Sequence, residues 1–310
     1  MSSTIHVYID EEDKPTNFPS YGKIIEKSRK LRPSQVTEFH FSGVKLPLEP
    51  ERSGSDTGSH DDNNEVGARY IWVKFGCGVR MGEARTQRYV SQYLGENDTV
   101  RAPRVYAAFT WGTCGFIVSE YVDGRICDDS DIPLIIAAMQ SLIEIPSPPD
   151  QTMPGPVGGG IIEHPGFNES ESPIWYETVQ ELEDHLNGIF RVLERPWQIS
   201  FKKELATYGL RLCPSDTVLA NFMRDDKGGV VAVDFAGYSF LPASFFASVI
   251  EYSNYSKLRQ DLLRNLKYPR AKCRAALAIH NVSLGLAPFG TNNIGIPSRL
   301  KPRLKMDYPH

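Results

Sequence analysis

An acid and an amide stand five positions apart in Leu212-Cys213-Pro214-Ser215-Asp216-Thr217-Val218-Leu219-Ala220-Asn221, and a second acid, Asp234, closes the apolar run Val230-Val231-Ala232-Val233. This pairing constrains the chain more than any other stretch. It reads as a loop that presents a carboxylate and an amide, followed by a strand whose end carries a carboxylate. An acid placed like Asp216 can orient a hydroxyl nucleophile, while Asn221 and Asp234 offer hard oxygens suited to Mg²⁺. The D-x₄-N spacing alone carries little weight, and its meaning depends on what lies upstream.

At 310 residues the chain is long enough for one large core or for two lobes. Lys plus Arg number 34 and Asp plus Glu 38, a net charge of −4. A mildly acidic chain has no electrostatic footprint for nucleic acid as its main partner. The late basic residues Lys257, Arg259, Arg264, Lys267, Arg270, Lys272 and Arg274 read as a solvated helix face, with an anionic partner as the other reading. Cysteines fall at 77, 114, 127, 213 and 273 without a CxxC spacing. That argues against a disulfide framework or a zinc site and for a reducing compartment, the cytoplasm. The first residues lack the basic patch and apolar run of a secretory leader. The longest apolar stretch, near Ile132–Met139, is far too short to span a bilayer, and no membrane role is expected.

Alternation of apolar and polar residues predicts strands at Val36–Val44, Ala68–Phe75, Arg104–Trp111 and Gly115–Val122, the last two as a hairpin. Helical spacing predicts helices over Lys23–Arg32, Glu83–Leu94, Ile132–Ile145 with Asp131 as its cap, Tyr176–Glu194, Phe201–Leu210 and much of Ala243–Leu286. Residues 50–65 have no apolar side chain and read as an exposed loop. Residues 146–174, rich in proline and glycine, read as a cap over a cleft or as a surface excursion. A strand is predicted over Val230–Phe235, after the Asp225-Asp226-Lys227-Gly228-Gly229 turn, and an extended tail around Pro297, Pro302 and Pro309. Strands and one helix dominate residues 1–122, and helices around a small hairpin dominate residues 123–310. The expected fold is α+β in two lobes, hinged near residues 121–124.

Phosphoryl transfer needs alignment and charge neutralisation more than covalent chemistry. Lys74, inside an apolar strand, suits a cation on phosphates, because burying an unpaired charge is costly. Glu83, opening the next helix, suits an anchor for that cation. Each residue also has a plainer reading: a strand lysine whose head reaches solvent, a first-turn acid complementing the helix dipole, an Asx-turn acid at 216, a satisfied loop amide at 221 and a strand-end acid at 234. Jointly and in this order, the five residues favour phosphoryl transfer.

The ordered segments are Trp72-Val73-Lys74-Phe75-Gly76-Cys77-Gly78-Val79-Arg80-Met81-Gly82-Glu83-Ala84, Ala102-Pro103-Arg104-Val105-Tyr106, Phe116-Ile117-Val118-Ser119-Glu120-Tyr121-Val122-Asp123-Gly124, the Asp216–Asn221 loop and Val233-Asp234-Phe235. Pro156-Val157-Gly158-Gly159-Gly160 and Leu182-Glu183-Asp184-His185-Leu186-Asn187 add to them. Over about residues 65 to 290 the chain resembles the aminoglycoside phosphotransferase-like (choline-kinase-like) branch of the protein-kinase-like superfamily, especially its functionally undefined fungal members. The resemblance implies a two-lobed protein-kinase-like fold, with a small strand-rich N-lobe and a larger helical C-lobe. It implies ATP and Mg²⁺ held between the lobes, Lys74 and Glu83 at the phosphates, and backbone groups of Glu120, Tyr121 and Val122 meeting the adenine. Asn221 and Asp234 would hold the metal, and Asp216 would be the base for transfer of the γ-phosphate to a small-molecule hydroxyl.

Departures from the family pattern keep other classes open. The usual His-Gly-Asp is Pro214-Ser215-Asp216, and the residues between Asp216 and Asn221 lack the usual proline and glycine. No glycine-rich phosphate loop precedes Lys74; Ser53-Gly54-Ser55-Asp56-Thr57-Gly58 has acidic neighbours that would repel ATP. One alternative is a kinase fold that binds a partner or nucleotide without turnover. Another is a natural-product tailoring enzyme that uses Asp216 as a general acid or base. A scaffold has no chemical need for all five residues, and a non-phosphoryl enzyme has no evident use for Asn221 and Asp234 together. Trp175, Tyr176 and His185 are possible lining of an acceptor pocket, with Tyr176 and His185 favoured as core or surface residues of a helix.

Overall fold

Side chains alternate in and out along Tyr70-Ile71-Trp72-Val73-Lys74-Phe75, and this period of two organises the first part of the fold. Ile71, Val73 and Phe75 are buried, whereas Tyr70 and Trp72 are exposed and Lys74 is half-buried. The computed structural model describes residues 4–30, 42–48, 70–95, 99–252, 256–269 and 274–306. In chain order the strands are β1 (Ile5–Asp10), β2 (Ser42–Pro47), β3 (Tyr70–Gly76), β4 (Val100–Arg101), β5 (Val105–Trp111), β6 (Cys114–Glu120), β7 (Gly124–Ile126), β8 (Arg211–Pro214), β9 (Phe222–Asp225), β10 (Val230–Ala232) and β11 (Tyr238–Leu241). The helices are α1 (Tyr21–Lys30), α2 (Met81–Leu94), α3 (Ile132–Ile143), α4 (Val179–Val192), α5 (Lys202–Tyr208), α6 (Ala243–Tyr252), α7 (Lys257–Asn265) and α8 (Arg274–Leu286).

The fold is α+β, in two compact units: Met1–Ala84 with Pro103–Val122, and Arg85–Ala102 with Asp123–His310. The division falls inside α2. The first unit is built on a five-stranded antiparallel sheet in the order β1-β5-β6-β3-β2. One face buries Ile71, Val73, Phe75 and Val118 against Ile24 and Ile25 of α1. On that face the rings of Phe75, Phe116 and Phe109 stack in file, with centroids 5.9 and 4.8 Å apart. The other face packs Ile9, Val105, Ala108 and Ile117 onto Val79, Met81 and Ala84, around the start of α2. Lys74 is the register partner of Ile117 and therefore belongs to this second face.

The second unit is mainly helical. Leu182, Leu186, Ile189 and Phe190 recur at helical spacing along α4 and are buried. Removing each from water contributes roughly 1.5–3 kcal/mol. They join Ile135, Met139 and Leu142 of α3, Phe245 of α6 and Ile279 and Val282 of α8 in one core. Thr178 caps α4 by accepting from the Glu181 N–H at 3.2 Å. Two small sheets complete the unit, β4-β10-β9-β7 and the β11-β8 pair.

The structure departs from the sequence-based expectations at several places. Ile5–Asp10, which the sequence pattern does not place, is an edge strand held by β5. Asp131 occupies the N-cap position of α3 but makes no capping bond. Its carboxylate instead accepts from Arg125 at 2.7 and 3.0 Å, from Arg224 at 3.2 Å and from the Asp128 N–H at 3.0 Å, so it closes a capping box on the 3-10 turn Asp129–Asp131 just before α3. The strand expected over Val230–Phe235 stops at Ala232, and the tail contains a 3-10 turn over Lys301–Lys305. Within residues 146–174, Gln151, Ile162, His164, Phe167 and Ile174 are buried. Gln151 Nε2 donates to the carbonyls of Met153, Gly155 and Pro156, so polar backbone that a loose excursion would leave to water is satisfied internally. Residues 36–41 of the expected strand and the expected loop 50–65 lie outside the described residues. Among the described residues no helix is long and apolar enough to cross a membrane.

Candidate active site

Strand pleating and the start of a helix bring Lys74 to Glu83. Lys74 sits on the sheet face that the beginning of α2 covers, and Glu83 stands in the first turn of that helix. Lys74 Nζ donates to Glu83 Oε1 at 2.7 Å, with the side chains only 11% and 4% exposed. Mutual neutralisation makes so dry a pair tolerable, and the helix N-terminus further favours the carboxylate. Chemically the pair offers a cation fixed in place by a carboxylate, with ammonium N–H groups able to meet phosphate oxygens.

In the second unit, strand pairing gathers Asp216, Asn221 and Asp234. β8 and β11 pair as far as Pro214↔Tyr238, and just beyond, the Ser215 N–H donates to the Gly237 carbonyl at 2.9 Å. A Cβ on Gly237 would lie 3.4 Å from the Asp216 nitrogen, an ordinary van der Waals contact, so the turn and the loop are neighbours here. β9 and β10 pair as far as Phe222↔Ala232, and just beyond, the Val233 N–H donates to the Asn221 carbonyl at 2.9 Å. Loop 215–221 and turn 233–237 are thus fastened side by side. Across the loop, Asn221 Nδ2 donates to Asp216 Oδ2 at 3.0 Å and to the Asp216 carbonyl at 3.1 Å. Asn221 is buried and Asp216 is exposed, so a fixed amide holds an acid that faces solvent.

Asp234 has φ +59°, a left-handed backbone that is sparsely populated for residues with a Cβ. Its Oδ1 accepts from the Ala236 N–H at 3.4 Å. Pro214 is buried at the end of β8, and main-chain bonds anchor the loop there.

Asn221 and Asp234 are the residues here whose oxygens could hold a divalent cation such as Mg²⁺. Asn221 commits its amide N–H group to Asp216, so the atom it can offer a cation is Oδ1. Asp234 offers a carboxylate. Both are hard oxygens, and Mg²⁺ bound with substrate phosphates takes only one or two carboxylates from protein. Among the described residues no group of three or more His, Cys, Asp or Glu could hold a metal by itself.

Two neighbours were not anticipated. Tyr238 is buried, and burial followed by the charges of Asp234 and Asp216 pushes its phenol well above the ordinary value, so it stays protonated. Gly237 supplies the carbonyl that accepts from the Ser215 N–H. Strands of four residues carry too short a pattern to announce this pairing in the sequence.

In the first unit, Glu120 ends β6. Its N–H donates to the Arg104 carbonyl at 2.8 Å and its Oε2 accepts from the Arg104 N–H at 3.2 Å. The Tyr121 ring meets Tyr70 edge-on at 5.8 Å, and Lys45 Nζ, which sequence reasoning missed, lies 3.9 Å from each ring centroid. Val122 is buried. Tyr176 and His185 are core residues. His185 Nε2 donates to the Asn292 and Ile294 carbonyls at 3.1 and 3.0 Å, which leaves Nδ1 to accept from the Tyr176 hydroxyl at 2.7 Å.

No family model and no curated protein matches the chain. Among solved structures, the chain is similar to the aminoglycoside phosphotransferase APH(4)-Ia, at 14% identity over 86% of this chain and 88% of that one, with a TM-score of 0.43. It is similar to a thermostable mutant of that enzyme in ternary complex with ADP and hygromycin B, at 12% identity over 88% and 90% of the two chains, TM-score 0.42. It is also similar to a choline kinase from Streptococcus pneumoniae, at 16% identity over 78% and 81%, TM-score 0.39.

Proposed function

We propose that the chain is a cytoplasmic phosphotransferase of protein-kinase-like fold, which moves the γ-phosphoryl group of ATP onto a hydroxyl of a small molecule. The observation that carries this reading is the Asp216–Asn221 hydrogen bond beside the Asp234 turn. It is an exposed carboxylate held by a buried amide, with a second acid alongside in a left-handed turn.

In this reading Asp216 accepts the proton of the acceptor hydroxyl as its oxygen attacks phosphorus. Asn221 orients that carboxylate. Asn221 Oδ1 and Asp234 would hold Mg²⁺, which neutralises charge on the phosphates when bound. Lys74, kept in place by Glu83, binds phosphate oxygens. Backbone groups of Glu120, Tyr121 and Val122 meet the adenine.

The test is a turnover assay with ATP, Mg²⁺ and a panel of hydroxyl-bearing small molecules, comparing the wild type with Asp216→Asn. A phosphorylated acceptor from the wild type and not from the variant supports the reading. Equal turnover by the variant overturns the assignment of the base. Nucleotide binding with no turnover across the panel would instead fit a kinase fold that has lost transfer.

A further inference from the structure

Two thiols approach each other at one end of the first unit's sheet. Cys77 Sγ lies 3.9 Å from Cys114 Sγ, and neither is in a disulfide. The register explains the approach: β3 and β6 pair as far as Gly76↔Gly115, and Cys77 and Cys114 are the next residues outward. Cys114 is held by the tight Gly112-Thr113 turn that joins β5 to β6, where Trp111 pairs with Cys114 and Gly112 has φ +60°. Cys77 lies in the turn closed by the Val79 N–H on the Gly76 carbonyl at 3.3 Å. That turn folds directly onto β6, since a Cβ on Gly115 would sit 2.1 Å from the Val79 carbonyl oxygen. Glycine at 115 is what lets the two backbones come this close.

Cys77 and Cys114 stand one step past the last ladder pair, whose facing Cα atoms lie roughly 4.5–5.5 Å apart, and disulfides span Cα separations of ~4.4–6.8 Å. Rotation of the exposed Cys77 side chain can close the remaining gap to a bond of about 2.05 Å. Exposure also orders the chemistry, because Cys77 is exposed and Cys114 is half-buried. Cys127 and Cys213 are buried, and burial pushes their thiols up to about 11 and about 12, so they compete poorly.

We propose that Cys77 and Cys114 are a reversible redox pair, which a low-molecular-weight disulfide such as oxidised glutathione converts to an internal disulfide that clamps the turn between β3 and α2. The Cys77 thiolate attacks one sulfur of the small disulfide, forming a mixed disulfide and releasing one thiol. The Cys114 thiolate then attacks Cys77 Sγ and expels the second thiol. The protein pair loses two electrons and two protons, and the small disulfide is reduced to two thiols. The clamped turn joins the strand of Lys74 to the helix of Glu83, but the proposal does not depend on what those residues bind.

The test equilibrates the full chain with oxidised and reduced glutathione over a range of ratios, followed by acid quench, alkylation and peptide mapping. Hydrogen exchange is then measured on the reduced and oxidised forms. The expected result is a Cys77–Cys114 linked peptide, lighter by two hydrogen atoms and restored by dithiothreitol, with exchange slowed several-fold over residues 76–81. Cys114→Ser should stop at a Cys77–glutathione adduct, and Cys77→Ser should leave Cys114 as a thiol. A stable Cys77–glutathione adduct in the wild type, linkage to another cysteine, or no oxidation at any ratio overturns the pair. A linked pair with unchanged exchange overturns the clamp.

Discussion

Asn221 donates its side-chain amide to Asp216 twice, to Oδ2 at 3.0 Å and to the main-chain carbonyl at 3.1 Å, while its own carbonyl accepts from the Val233 N–H. One buried residue therefore ties the loop of the exposed acid to the turn of Asp234. Asn221→Ala removes a hydrogen bond to a charged group, worth about 1.5–3 kcal/mol, together with a proposed metal oxygen. Turnover should fall by roughly 10²-fold or more, measured as kcat with saturating ATP. An unchanged kcat would contradict the orienting role.

Asp216→Asn keeps the shape of the loop and removes the proton acceptor. The expected loss in kcat is about 10²–10⁴-fold, with the affinity for Mg·ATP nearly unchanged. Loss of nucleotide binding in step with kcat would place Asp216 on the nucleotide instead.

Lys74→Met takes away the cation 2.7 Å from a carboxylate that is only 4% exposed. Stability should drop by on the order of 3 kcal/mol. Pairing it with Glu83→Leu should recover much of that loss, because a buried ion pair is replaceable by apolar packing. Nucleotide affinity should stay low in both variants. A double variant that binds ATP like the wild type would leave Lys74 with a structural role only.

Two buried histidines give stability a defined pH dependence. His164 Nδ1 accepts from the Gly166 N–H at 2.8 Å while Nε2 donates to the Phe245 carbonyl at 3.1 Å, and His185 is engaged at both nitrogens as described. Burial pushes both from the ordinary 6.5 down to about 4. The folded chain keeps them neutral while the unfolded chain takes up protons below 6.5. Their contribution is thus fully present above 6.5, declines as the pH falls toward 4, and is gone below it. Each is worth on the order of 3 kcal/mol across that window. Urea unfolding at about pH 7 and about pH 4.5 should show the midpoint fall, and a flat midpoint would contradict it.

Local pattern made part of this architecture legible. The alternation around Lys74 announced β3, and the helical spacing from Leu182 to Phe190 announced α4, because each element buries one continuous face. Nonlocal pairing was not legible. β8 and β11 are four residues each, and only their pairing brings Gly237 and Tyr238 to Asp216. The left-handed backbone of Asp234 likewise follows from the turn it must make after β10, and its apolar run read simply as more strand. Asp131 looked like a cap because cap chemistry is local, while Arg224, one of the residues that claims it, arrives from a distant strand.

The central claim is that Asp234 and Asn221 hold a metal on the phosphates of ATP. Calorimetric titration of the chain with ATP, with and without Mg²⁺, and of Asp234→Ala alongside, tests it most directly. The account predicts saturable binding that requires Mg²⁺ in the wild type and is weakened at least about 10-fold in the variant, a loss of about 1.4 kcal/mol. Binding that ignores Mg²⁺ or survives Asp234→Ala unchanged, or no binding at all, would contradict it.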